Sequence, residues 1–208
     1  MNRTILMATG NPHKAERFKH YLTPLGFSVI TFADLKEKVE VVEDGITPEE
    51  NALKKAKAGF EATGKPCFGV DYWFYINGLS PGKQPGPHVR RIFVGESGER
   101  NEATDDEMLD YYTNIIEGLG GKIGGLWNSA IALITSAGKS HTDSFTRETI
   151  LTSKRSPKMT DGEPLNSIQI DPQTGKYFTD LTKNEWLLLQ QGRERGYIDF
   201  FRRYINEI

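Results

Sequence analysis

The chain has 208 residues, enough for one large domain or for two small lobes sharing a sheet, and enough to bury a sizeable core. A composition of 37% hydrophobic, 26% charged and 11% aromatic residues, with 21 Gly and 10 Pro, excludes a disordered chain and a collagen-like repeat. With 26 basic against 28 acidic residues the net charge is −2, so a polynucleotide or a membrane would need a local patch, and neither is expected as a partner.

The first element is a short apolar run, Ile5 to Ala8, that ends at Thr9-Gly10. Asn11 then reads as an N-cap and Pro12 as the first helical residue, opening a helix to Tyr21 or Leu22 that stops before Pro24. Phe27 to Ile30 returns as a strand, giving an opening β-α-β unit. Thr47-Pro48-Glu49-Glu50 has the form of a capping box and predicts a helix over 51–62, ended by Gly64-Lys65-Pro66. Cys67 to Leu79 is a β-type run, and 78–87 is a loop with three prolines and three glycines. Thr104 with Glu107 predicts a helix to about Glu117, closed by the glycine-rich stretch 118–125. Trp127 to Thr135 and Ser140 to Leu151 flank Ala137-Gly138 and predict an antiparallel hairpin. Thr182 with Glu185 predicts a further helix, and Tyr197 to Ile205 a last amphipathic one. The order implies an α/β fold, a mixed β-sheet flanked by helices, in two lobes with a central cleft.

Two segments carry chemistry. At Ala8-Thr9-Gly10-Asn11-Pro12-His13-Lys14 a strand leads through a glycine turn into the positive end of a helix. Free N–H groups, a hydroxyl, an amide and a lysine suit phosphate oxygens. An ordinary capped helix with Lys14 in solvent reads the same residues equally, and the segment is no Walker A loop. In Glu49-Glu50-Asn51-Ala52-Leu53-Lys54-Lys55-Ala56, Glu50 lies in the first helical turn and Lys55 about 140° further round. A carboxylate there suits magnesium, although Glu50 also fits the capping box or an i,i+4 pair with Lys54. Asp71 stands between Phe68-Gly69-Val70 and Tyr72-Trp73-Phe74, where a buried carboxylate needs a metal, a catalytic duty, a hydrogen bond or an exposed edge.

Taken in order, these segments resemble the inosine triphosphate pyrophosphatase family, whose members hydrolyse non-standard purine nucleoside triphosphates to the monophosphate and pyrophosphate. The match runs through Ala8-Thr9-Gly10-Asn11 with Lys14 and Glu16, Glu50-Asn51-Ala52 with Lys55-Ala56, and Thr63-Gly64-Lys65-Pro66 leading to Asp71; Pro85-Gly86-Pro87 with Arg91 follows. It is dense over 5–95 and thin beyond. The resemblance implies triphosphate contacts at Thr9, Gly10, Asn11, Lys14 and Lys55, magnesium at Glu50 and Asp71, and Asp71 as general base with Lys14 and Lys55 catalytic. Arg91 and Arg193 become further substrate contacts. Departures also show. The family has two adjacent acids and then a small pair, Asp-Asp-Ser-Gly, where this chain has Val70-Asp71-Tyr72-Trp73. Its Phe-Gly-Tyr-Asp-Pro falls on Glu163-Pro164-Leu165-Asn166-Ser167, and its Ser-His-Arg on Gln191-Gly192-Arg193. The accepted base is therefore left open, and a catalytically weakened nucleotide-binding or regulatory module of the same fold is the alternative. A dinucleotide oxidoreductase is disfavoured because no G-x-G-x-x-G follows the first strand.

The remaining features are bland. Cys67 has no partner for a disulfide and reads as a buried thiol; the four histidines have no metal spacing; Arg202-Arg203 reads as a solvated face. The opening residues hold too short an apolar stretch for a signal peptide or membrane helix, so a cytoplasmic location is expected. The expectation for the whole is one pyrophosphatase-like domain, 1–208, of two lobes, acting as a homodimer.

Overall fold

The computed structural model describes residues 3–95 and 100–208, apart from the side chains of His13, Gln190 and Arg193. In chain order the elements are β1 (Arg3–Met7), α1 (Pro12–Leu22), β2 (Phe27–Thr31), α2 (Pro48–Thr63), β3 (Cys67–Ile76), β4 (Phe93–Val94), β5 (Arg100–Asn101), α3 (Asp105–Gly118), β6 (Lys122–Ile134), β7 (Ser140–Thr152), β8 (Gln169–Ile170) and α4 (Lys183–Arg203). Six strands form a sheet in the order β2-β1-β3-β6-β7-β8, and β4 with β5 makes a separate antiparallel pair. Because β1 runs parallel to β2 and β3 while β8 runs antiparallel to β7, the sheet is mixed, as the sequence predicts. The chain divides into two compact units: 1–72 with 129–145 and 191–208, and 73–128 with 146–190.

In the first unit, β1 pairs with β2 from Arg3 opposite Phe27 to Met7 opposite Thr31. Strand alternation sends Ile5 and Met7 into a core with Phe18, Phe68, Val70, Tyr197 and Phe201, while Leu6 packs on the other face with Cys67. Both faces are buried, which explains why β1 reads as a continuous apolar run. Helix α2 opens as its cap predicts: Thr47 Oγ1 accepts the Glu50 N–H and Pro48 holds the first helical position. The box is only half formed, because the Glu50 carboxylate takes the N–H of Ile46 at 2.8 Å.

Two glycines let α2 approach β3. A Cβ on Gly69 would lie 2.3 Å from the Ala52 carbonyl oxygen, and one on Gly59 2.4 Å from Cys67 Sγ. Gly69→Ala should therefore push the helix off the strand and cost about 1–3 kcal/mol, a typical overpacking penalty; the shift in urea midpoint measures it.

In the second unit, Thr104 and Glu107 form both halves of a capping box at the start of α3. The helix buries Met108, Leu109, Tyr112 and Ile116 against Phe74, Ile76, Leu151 and Ile168. Strand β3 ends at Ile76, before Leu79, where Asn77 and Gly78 turn the chain with Gly78 at φ 81°. Strand β6 starts earlier than predicted, at Lys122, and takes in Gly124 and Gly125, where a Cβ would lie 2.6 Å from Asn77 Nδ2 and 3.2 Å from Leu151, Phe74 and the Tyr75 carbonyl respectively.

The two C-terminal helices read from the sequence are a single helix, α4, of 21 residues. The Thr182–Glu185 box starts it, and burial of Tyr197, Phe200 and Phe201 outweighs the weak helix propensity of Gly192 and Gly196. Gly196 is itself needed there, since a Cβ would meet the Phe145 ring at 2.6 Å.

Candidate active site

The site lies in the first unit, where the end of β1 and the start of α1 come beside the facing parts of α2 and β3. Past Met7 the Ala8 N–H binds the Phe68 carbonyl at 2.8 Å, the last tie to the sheet before the turn. Thr9 Oγ1 accepts the Asn11 N–H at 3.1 Å, and Asn11 Oδ1 accepts the Lys14 N–H at 3.1 Å, so Asn11 is the N-cap. Gly10 and Asn11 are exposed, and a Cβ on Gly10 would meet nothing within 4 Å. The turn is open on its outer side.

Behind it sits a buried ion pair. Lys55 Nζ lies 2.7 Å from Asp71 Oδ1, with the two residues 8% and 5% exposed. Asn51 Nδ2 donates to Asp71 Oδ2 at 3.3 Å, and Lys55 also reaches the Val70 carbonyl at 3.4 Å. Lys55 meets a second carboxylate, Glu43 Oε2, again at 2.7 Å. Glu43 belongs to a segment bound to α2 residue by residue. Asp44 pairs with Lys54, the Gly45 N–H donates to Asn51 Oδ1 at 2.8 Å, and Ile46 donates to Glu50. The i,i+4 pairing of Glu50 with Lys54 is thereby replaced: each has a partner in the preceding loop.

Lys14 completes the cluster. Its ammonium sits 4.8 Å from the centre of the Tyr72 ring, and its pKa is lowered to about 8. Burial is the main cause, and the ammonium of Lys55 adds to it, against the opposing pull of Asp71 and Glu43.

The structure thus brings together Thr9, Gly10, Asn11 and Lys14 on one turn, and Lys55 and Asp71 in one ion pair whose charges act on Lys14. Glu50 is exposed, with one oxygen committed to Ile46. Arg91 is an exposed residue of the second unit whose carbonyl accepts from Arg100 at 3.3 Å. The side chain of Arg193 lies outside the described residues.

Two participants escape sequence reading, Glu43 and the amide of Asn51. Their signal is an acidic pair and a glycine, Glu43-Asp44-Gly45, just ahead of a capped helix. Val70 is 2% exposed and joins the apolar core, so the position that holds an acid in the resembled pattern offers no side-chain oxygen here. The segment 163–167 is a short 3-10 turn in which Asn166 donates to Glu163 and Ser167 to the Pro164 carbonyl, while Leu165 joins the core. Asp171-Pro172 follows β8, and the buried Asp171 accepts hydrogen bonds from Gln173 and Thr174.

Among the described residues no group of three or more His, Cys, Asp or Glu side chains could hold a metal by itself. Cys67 is inert, its thiol pushed up to about 12 by burial. Arg202 and Arg203 are engaged with Asp199 and Asp143. No described helix is long and apolar enough to cross a membrane.

Comparison with known proteins agrees with the motifs. Residues 5–183 match the model of the Ham1 family. A dITP/XTP pyrophosphatase of Lactiplantibacillus plantarum is 40% identical over 107 residues, 51% of this chain and 50% of that protein. One from Bacillus subtilis is 37% identical over 104 residues, 50% of each. The chain spans about half the length of the curated relatives it matches. Among solved structures, a HAM1 protein from Coxiella burnetii superposes with TM-score 0.77 at 20% identity, covering 99% of this chain and 100% of that one. The Staphylococcus aureus Ham1 protein gives 0.76 at 19%, covering 96% and 98%. The structural likenesses establish the mixed α/β fold, and with the family match over most of its length, this chain belongs to the Ham1 family.

Proposed function

We propose that the chain hydrolyses a nucleoside triphosphate to the monophosphate and pyrophosphate, its substrate being a non-standard purine nucleotide such as inosine or xanthosine triphosphate or a deoxy form. The observation that carries this reading is the buried Lys55–Asp71 pair, joined by Glu43 and Asn51, beside an ammonium whose proton is held loosely. The names of the relatives, dITP/XTP pyrophosphatases, support it.

In this mechanism the triphosphate lies across the open turn, where the Thr9 hydroxyl, the Gly10 N–H, the Asn11 side chain and the positive end of α1 meet it. Lys14 and Lys55 neutralise phosphate charge, which with positioning is most of what phosphoryl transfer needs. Asp71 takes the proton of the attacking water, and the amide of Asn51 holds the carboxylate in place. Water attacks the α-phosphorus and pyrophosphate leaves in line. Arg91 and Arg193 are assigned to the substrate on the resemblance alone.

The donors suit magnesium, since the carboxylates of Glu43 and Asp71 already converge on one cation and this ion favours one or two carboxylates plus phosphate oxygens. Asp71 and Glu50 are the proposed ligands, with Glu43 beside them, and the ion would spread the negative charge of the phosphates. The same reading makes 1–208 one domain of two lobes, a homodimer in the cytoplasm; light scattering tests the pairing.

The test is a pyrophosphate-release screen over standard, deaminated and oxidised nucleotides with and without magnesium. Pyrophosphate, with little single phosphate, is expected from a deaminated purine nucleotide. Because an apolar Val70 stands at the second acid position, the alternative is a weakened nucleotide-binding module, and calorimetric binding without turnover would favour it. The pH profile carries a sign. Lys14 is charged below about 8 and neutral above, so the KM for the triphosphate should rise as pH passes from 7 to 9.

A further inference from the structure

Tyr72 occupies the position where the resembled pattern has a small residue, next to Asp71 on β3. It lies on the Val70 face of the strand and packs half-buried against the first core. Its hydroxyl is 3.5 Å from that of Tyr197, a fully buried residue wedged between Phe18 and Phe145, with ring centres 5.0 and 5.1 Å away. The ring is thus tied to the core at its far end, while its face carries the Lys14 ammonium at 4.8 Å.

The two lysines of the site are held differently. Lys55 is gripped by two carboxylates. Among the described residues Lys14 has no carboxylate within ion-pair distance, and its contact is an aromatic face. A ring holds a cation by its quadrupole and forms no competing ion pair. An incoming phosphate can bind that ammonium without first displacing an anion.

We infer that Tyr72 is a positioning residue: its ring holds Lys14 over the turn in the free protein and presents the ammonium to the triphosphate. The inference rests on the proposed phosphate-binding role of Lys14 and adds to it a residue that neither motif nor family pattern assigns. It also gives the bulky residue beside Asp71 a purpose. The charged groups around Lys14 are Lys55 on α2, Asp71 on β3, Glu43 in the loop before α2 and Arg17 on α1. Replacing the ring by an aliphatic side chain leaves all four and removes an attraction that favours the charged amine, so the Lys14 titration should move down from about 8.

The experiment uses Tyr72→Leu and Tyr72→Phe in the full chain, with two readouts. The first is steady-state pyrophosphate release from inosine triphosphate with magnesium. Tyr72→Leu should raise KM about 3- to 10-fold, with kcat changed less than about twofold, and Tyr72→Phe should recover most of that loss. The second needs no substrate: the pH dependence of Lys14 acetylation by acetic anhydride, followed by mass spectrometry. Its midpoint should fall in Tyr72→Leu and stay near the wild-type value in Tyr72→Phe; a rise would mean a ring that only excludes water and would sink the assignment. Unchanged KM and midpoint in Tyr72→Leu, or damage by Phe equal to that by Leu, would overturn the assignment. If the wild type releases no pyrophosphate from any triphosphate, the functional reading fails, and the acetylation series still decides whether Tyr72 holds Lys14.

Discussion

Asp71→Asn should slow pyrophosphate release by about 10²–10⁴-fold, the range for losing a general base, with the protein still folded. The amide keeps the shape of the carboxylate and can still accept from Lys55 or Asn51, so the packing of α2 on β3 survives. Lys55 retains Glu43 as a counterion, which limits the cost to stability to about 1–3 kcal/mol. A group that acts in the transition state lowers kcat and kcat/KM together. The comparison is therefore steady-state release at saturating nucleotide and magnesium, beside a thermal unfolding control. Turnover at the wild-type rate would remove Asp71 from the chemistry and leave it a structural partner of Lys55.

Lys55→Met should be more damaging to the fold. Asp71 is almost fully buried, and losing its cation leaves a charge in a place where water cannot solvate it, at a cost of about 3–5 kcal/mol. Neutralising Asp71 removes the problem. For the same reason Lys55→Met combined with Asp71→Asn should regain most of the lost stability, although neither variant restores catalysis. Urea midpoints for the two single variants and the double variant separate these effects. Equal midpoints for Lys55→Met and wild type would mean that the pair is not what joins helix to strand here.

Much of this site is legible along the chain because its parts are made locally. The Asn11 cap spans three residues, and the Thr47 cap spans three. Each is a short-range interaction that the residue types announce. The same holds for the start of α3 and of α4. The end of a predicted element is less secure, because it depends on what the element packs against: the interior glycines of α4 read as a break until Tyr197, Phe200 and Phe201 are seen buried in the first core.

By itself the amino-acid order determined the opening β-α-β unit, the phosphate-suited turn at Thr9 to Lys14, and Asp71 as a residue needing a partner, while Lys55 stood out through the family resemblance. Only the tertiary structure decided that those two are each other's partner, that Glu43 shares the same ammonium, and that Lys14 rests on Tyr72. It also decided that Val70 faces the apolar core while Asp71 takes the polar contacts. The physical reason is range. Capping and strand alternation act over a few residues, whereas the Lys55–Asp71 contact depends on how closely a helix can approach a strand, which here requires the missing side chain of Gly69.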